Sequence, residues 1–217
     1  MPRSRNQTAR RQQLLEAAVR VINDRGAANI HMKDVAQAAS MATGSVYYYY
    51  DNVDELLRHV HALAFDRYYT ARVAAISALD DPHAKMVTMV EMGLPRPADE
   101  PLSLALYQVG VAKARDPHHA DMITQLCGQQ RRLYQELLDD GAATGHFHPV
   151  MPTSRIAHNI IALEDGYGLG LCTGEQDYDY ELAKGLILDA VSHWTQCPEL
   201  LNHPYFAGPI STPASSA

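Results

Sequence analysis

Apolar positions recur every three or four residues along most of the chain, and nowhere do they alternate over a stretch long enough to read as a sheet strand. Between Thr8 and Arg25 the stripe is Leu14, Leu15, Ala18, Val21 and Ile22, and Gly26 stands where a helix C-terminal cap belongs. A shorter stripe follows, Met32, Val35, Ala36 and Ala39, with Lys33, Asp34 and Gln37 expected to point away from it. Ser40-Met41 interrupts the pattern. A second short period then puts Ala42, Val46, Tyr49 and Tyr50 on one face and leaves Thr43, Ser45, Tyr47 and Tyr48 on the outer flanks.

Asn52 with Glu55 forms a capping pair for a long helix expected to run to about Leu79. Asp81-Pro82, Glu100-Pro101 and Asp116-Pro117 each place an acid before a proline, and proline is well tolerated in a first helical turn. Helices are therefore predicted over about 82–94, 101–114 and 117–140. A connection with Gly and Pro over 141–152 leads to two more, about 153–171 and 178–195. Residues 198–217, with Pro198, Pro204, Pro209, Pro213 and scattered serines, read as a tail, although Tyr205-Phe206 could dock locally. The fold class is all-α.

Residues 31–56 organise this pattern. Two short helices with a three- or four-residue connection make a helix-turn-helix, whose second member can enter the major groove of DNA. The hydroxyls of Thr43, Ser45, Tyr47 and Tyr48 can donate to phosphate oxygens or base edges, Gly44 lets a backbone approach closely, and tyrosine rings can pack on thymine methyls. Taken alone, four consecutive tyrosines could equally be a core-to-surface transition in a helical bundle.

The net charge of -7 looks wrong for a nucleic-acid binder until it is divided by region. Residues 1–50 hold seven Lys/Arg and three Asp/Glu, which is +4, whereas residues 51–217 hold eleven and twenty-two, which is -11. A basic head on an acidic body suits an electrostatic DNA footprint confined to the head. Arg3 and Arg5, with Arg10 and Arg11 behind them, make a basic arm that could reach phosphates or a minor groove, or a solvated terminus. Cys127, Cys172 and Cys197 lack metal-ligand spacing and read as reduced thiols. With no apolar leader and no membrane-length run, the expected compartment is the cytoplasm, with no membrane partner.

The run from Gly26 through Asp34-Val35-Ala36, Ala38-Ala39 and Gly44-Ser45-Val46-Tyr47-Tyr48-Tyr49-Tyr50 to Glu55-Leu56-Leu57 resembles the DNA-binding domain of the tetracycline-repressor (TetR) family. The resemblance implies that Lys33, Thr43, Ser45, Tyr47 and Tyr49 contact DNA, while Val35, Ala36, Val46 and Tyr50 hold the motif together. With Gly44 and Tyr48 these make up the expected DNA-binding set. The family usually has Thr where Ile30 and His31 stand, Gly where Ser40 stands, and often Lys where Val53 stands. His31 is a weaker cap, Ser40 costs stability if its backbone is left-handed, and one phosphate contact is lost at Val53.

The resemblance further implies a body that encloses a small-molecule pocket and dimerises through its last two helices, the ligand changing the spacing of two DNA heads. The expected division is a three-helix head over 1–52, a six-helix body over 53–197 and the tail. Met86, Met89, Met92 and Met122 with Tyr68, Tyr69, Tyr107 and Leu126 could line an adaptable apolar cavity or be ordinary core. His158 could orient a polar ligand group or be a hydrogen-bonded core or interface histidine. The candidate pocket is Tyr69, Met89, Tyr107, Met122, Leu126 and His158.

The stretch from Glu164 to Gly170 lacks the GxGxxG spacing of a nucleotide loop. Gly166 and Gly170, four apart, instead allow close approach of another helix, as at a subunit interface. Leu163, Tyr167, Leu171, Leu182, Leu186, Val191 and Trp194 would supply its apolar contacts. The histidine pairs His59/His61, His118/His119 and His146/His148 read better as surface residues than as a metal site. No catalytic set, metal or cofactor is expected, and not an enzyme. The expected protein is a homodimeric transcription regulator, a repressor that binds a near-palindromic DNA operator and is released by a small molecule. The alternative is a helical small-molecule or metal-binding protein that does not read DNA.

Overall fold

Local capping chemistry opens the helices where the sequence places it. In the computed structural model, which describes residues 2–96, 101–113 and 115–201, Asn52 Oδ1 accepts from Glu55 N at 2.8 Å and Glu55 Oε2 accepts from Asp51 N at 2.6 Å. Asp81 accepts from His83 N and Ala84 N at 3.1 and 3.2 Å, and Asp116 from His118 N at 3.0 Å. These bonds satisfy amide groups that a helix start leaves without partners. The result is α1 (Pro2–Arg25), α2 (Met32–Ala38), α3 (Thr43–Tyr47), α4 (Val53–Ser77), α5 (Pro82–Glu91), α6 (Pro101–Ala112), α7 (Pro117–Ala143), α8 (Thr153–Thr173) and α9 (Tyr180–Thr195). Short 3-10 turns cover Ala27–Asn29 and Pro198–Leu201, and there is no strand among the described residues. The all-α expectation holds, and α3 is shorter than the two turns expected.

Two compact units share the chain, and the division falls within α4 and α7. Unit 1 is Met1–Thr70 with Arg96–Leu126. Its core joins Leu14, Ala18 and Ile22 of α1 to Val35, Val46, Tyr50, Leu56 and Val60, and Ala105 and Val109 of α6 complete it. The unit around the motif is therefore larger than the three helices the sequence sets apart. Asn23 Nδ2 donates to Pro101 O at 2.8 Å, Arg58 pairs with Asp116 at 3.6 Å, and Lys113 pairs with Asp54.

Unit 2 is Ala71–Pro95 with Cys127–Ala217, built on Met86, Met89 and Val90 of α5, Tyr134 and Leu138 of α7, Ile156 and Ile160 of α8, and Ile187, Leu188 and Val191 of α9. A polar cluster is sealed inside it. Arg72 Nη1 donates to Gln130 Oε1 at 2.6 Å, and Nη2 meets Met89 O, Tyr134 OH and Glu164 Oε1 at 2.6, 2.8 and 2.8 Å. Tyr134 OH donates to Glu164. Burial pushes the Glu164 carboxyl up, and Arg72 and Tyr134 oppose the shift. At Gly93 a Cβ would stand 1.6 Å from Glu164 Oε1, so only glycine leaves room for that carboxylate. Leu200 is buried in the same core, so the first residues of the expected tail belong to the fold. Residues 202–217, including Tyr205-Phe206, lie outside the described residues.

Candidate nucleic-acid interface

The first motif helix is held by its neighbours in unit 1. Asp34 Oδ2 accepts from His31 N at 3.1 Å, and Asp34 Oδ1 takes a bond from Arg25 Nη1 at 2.8 Å. This carboxylate is buried, a correction to its expected outward position: it closes the N-terminal turn of α2, where a negative charge is favoured. At the other end, Gln13 Nε2 donates to Ala39 O at 2.9 Å and Arg20 Nη2 to Ala38 O at 3.1 Å. Ser40 N reaches Gln37 O at 3.1 Å and Met41 N reaches Ala36 O at 2.9 Å, the paired bonds of a Schellman end. That end needs a left-handed residue, and Ser40 supplies it with φ 55°, as the departure from glycine leads one to expect.

The turn delivers α3 with one face in and one face out. Val46 and Tyr50 are fully buried, and burial pushes the Tyr50 phenol up to about 12 while the Arg11 guanidinium, 5.8 Å from the ring centre, opposes the shift. Thr43, Gly44 and Ser45 are exposed, as is Lys33 on α2. Tyr47, the last residue of α3, is 53% exposed and Tyr48, which caps it, 71%, unusual for large rings. Apart from its chain neighbours and its own helix backbone, nothing among the described residues lies within 4 Å of where a Gly44 Cβ would stand, so the backbone there is open to a close partner. Tyr49 differs from the rest of the expected set. It is half-buried against the unit 1 core, and its ring meets that of Tyr48 edge-on at 5.1 Å.

The residues expected to line a pocket divide between the units. Tyr69, Tyr107, Met122 and Leu126 are half-buried in unit 1, whereas Met89 is sealed in the unit 2 core with its carbonyl bound by Arg72. His158 is exposed in unit 2, its Nδ1 2.8 Å from Ser154 O.

A polar pair not expected from sequence stands in unit 1. His61 of α4 and His119 of α7, expected at the surface, are 2% and 1% exposed, with ring centres 4.6 Å apart. His61 Nδ1 and both His119 nitrogens find no hydrogen-bond partner among the described residues. Burial, with His119 adding to it, pushes His61 down to about 3. Burial also lowers His119, with Lys113 and Arg58 acting the same way and Asp116 against them. Both rings are neutral at physiological pH. No group of three or more metal-ligating side chains occurs among the described residues.

On α8 and α9, Leu163, Tyr167, Leu171 and Trp194 are half-buried against the unit 2 core, while Gly166 and Leu186 are exposed. Gly170 serves its own chain, because a Cβ there would stand 1.7 Å from Tyr178 OH.

Residues 14–60, which hold α2, α3 and the start of α4, match the model of the bacterial regulatory proteins of the tetR family. The helix-turn-helix of this chain is of the kind that family carries. Its relatives include the nicotine-responsive transcriptional repressor HdnoR of Paenarthrobacter nicotinovorans, 24% identical over 74% of this chain and 82% of the relative. The transcriptional repressor KstR2 of Mycolicibacterium smegmatis is 28% identical over 65% and 69%. A putative transcriptional regulator from Saccharomonospora viridis, solved in complex with choline, shares the fold with a TM-score of 0.78 at 21% identity, over 86% of this chain and 97% of that one. The chain is a DNA-binding transcriptional regulator, as the curated relatives it matches are named. Among its described residues no helix is long and apolar enough to cross a membrane.

Proposed function

We propose that two copies of the chain bind a near-palindromic operator, each placing α3 in one of two successive major grooves about 34 Å apart, and that a small molecule releases them. The observation that supports this reading is the outward row of Lys33, Thr43, Gly44, Ser45, Tyr47 and Tyr48 above a fully buried Val46 and Tyr50. Hydroxyls and open backbone there suit phosphates and base edges, and the exposed rings suit thymine methyls. Acting on DNA places the protein in the cytoplasm.

The copies join through α8 and α9, where exposed Leu169 and Leu186 stand among Leu163, Gly166, Tyr167, Leu171 and Trp194. The effector is a small organic molecule received in unit 1, with Tyr69, Tyr107, Met122 and Leu126 as apolar candidates and His61 and His119 as its polar contacts. Three buried ring nitrogens without partners support that assignment, since a buried polar group is ordinarily satisfied. A nicotine-responsive relative and a choline-bound structural neighbour are consistent with an effector of this size.

The test is selection of bound sequences from a random duplex pool at two salt concentrations, followed by fluorescence anisotropy on the enriched duplex. An enriched palindrome bound by two chains is expected, with affinity that falls steeply with salt. No enrichment at either salt concentration overturns the operator reading.

A further inference from the structure

Ahead of Leu14, α1 has nothing to bury. From Pro2 to Gln13 the sequence carries four arginines, no acid, and Pro2 and Ala9 as its apolar residues, yet the helix runs the whole way and Gln7 to Arg11 are all exposed. A helix that is polar all round lacks the packing that ordinarily holds one together. This stretch lies ahead of residues 14–60, the part shared with the family model.

Two contacts fix where it runs. Gln7 Nε2 donates to Tyr48 OH at 3.2 Å, across 41 residues, and the Arg11 guanidinium stands 5.8 Å from the centre of the Tyr50 ring. The flank of α1 carrying Gln7 and Arg11 therefore lies beside the tyrosine end of α3. Arg3, Gln7 and Arg10 follow one another at spacings of four and three residues, and Arg11 lies four beyond Gln7, which is one side of a helix. Arg10, exposed, has Gln13 as its hydrogen-bond partner at 2.8 Å. Arg10 and Arg11, both exposed, bring positive charge beside the tyrosine end of α3, and Arg3 and Arg5 precede them in sequence on the same helix.

We infer that the arginine-rich start of α1 is an accessory DNA contact: its arginines bind backbone phosphates flanking the groove that α3 enters, and Gln7 is a positioning residue that holds the Tyr48 hydroxyl against that groove. Duplex DNA is the partner that fits, because the charge is of one sign and the surface adjoins the face that meets DNA. The inference rests on the operator-binding reading and extends its footprint.

The experiment uses the full chain and the duplex enriched by selection, with affinity measured between about 50 and 200 mM salt. Each phosphate contact contributes about 0.9 to the slope of log affinity against log salt. Arg3→Gln with Arg5→Gln, and separately Arg10→Gln with Arg11→Gln, are expected to weaken binding about five- to twentyfold at the lower salt and to make the slope shallower by about 1–2. Gln7→Ala, which removes no charge, is expected to weaken binding a few-fold and leave the slope unchanged. Thermal melting checks each variant, and the Arg3/Arg5 pair keeps the test valid if loss of Arg11 beside Tyr50 disturbs the fold. Unchanged affinity and slope in both double variants, with the unaltered chain bound normally, overturns the inference. Failure of the unaltered chain to bind any duplex removes the operator reading, and the inference with it.

Discussion

The two units bury polarity of different kinds, an ion pair in one and a pair of neutral rings in the other. In unit 2 the Arg72 guanidinium is bonded to a carboxylate, a phenol, an amide oxygen and a main-chain carbonyl, and Gly93 is kept bare to let the carboxylate in. In unit 1 two histidines are sealed just as completely, and three of their nitrogens meet nothing among the described residues. At the surface, unit 1 holds the aromatic rings of Tyr47 and Tyr48 in solvent, whereas unit 2 exposes the aliphatic Val150, Leu169 and Leu186. An ion pair bonded from several sides fixes one structure, even with Gln130 Nε2 left without a partner among the described residues.

The comparison can be broken most forcefully in unit 2. Glu164→Ala leaves the Arg72 charge buried without its counter-ion and is expected to lower unfolding free energy by about 3–5 kcal/mol, read from urea denaturation. Arg72→Met with Glu164→Leu, which removes both charges, should cost much less. A double variant as unstable as the single one would show that packing, and not charge pairing, sets the requirement.

The histidines of unit 1 give the next effect, through pH. His61 is lowered in the folded chain from 6.5 to about 3, so below pH 6.5 the unfolded chain takes up a proton that the folded chain refuses. Stability from this group is complete above 6.5 and is lost as pH falls toward 3. Between pH 6.5 and 5 the loss is about 2 kcal/mol, and His61→Phe should remove it from the pH profile of unfolding. An identical profile in the variant would mean that the ring is not held neutral by burial.

On the outer face, Tyr47→Ala is expected to weaken operator binding by about 1–2 kcal/mol while melting and dimer formation stay unchanged. Unchanged affinity would remove this residue from the docking face. The smallest effect is at the turn. Ser40→Gly should raise stability by about 0.5–1 kcal/mol, since glycine takes the left-handed conformation freely. A destabilised variant would show that the serine side chain contributes something that outweighs its backbone strain.

Features set by neighbours in sequence were legible before the structure. Asp81, Asp116 and Asn52 cap helices because their side chains reach amides two or three residues on, and Ser40 is left-handed because a helix that closes with paired end bonds needs such a residue. Features set across the fold were not. The helical wheel turns Asp34 outward, and only the positions of Arg25 and the His31 amide explain why it is buried. His61 and His119 are 58 residues apart, and each read more naturally with its neighbour, His59 or His118, than with the other. Gly170 suggested an approach by a second subunit, yet Tyr178 of the same chain fills the space. The extent of α1 escaped notice because, before Leu14, it has no apolar period to detect.

Trp194, the one tryptophan in the sequence, stands half-buried on α9, and its carbonyl accepts from Val150 N at 2.9 Å. The DNA-facing unit has tyrosines and none of this residue. The molecule thus carries its own optical label on the face through which two copies are proposed to join. Emission excited where only tryptophan absorbs reports directly on unit 2 and its proposed pairing, with no dye attached.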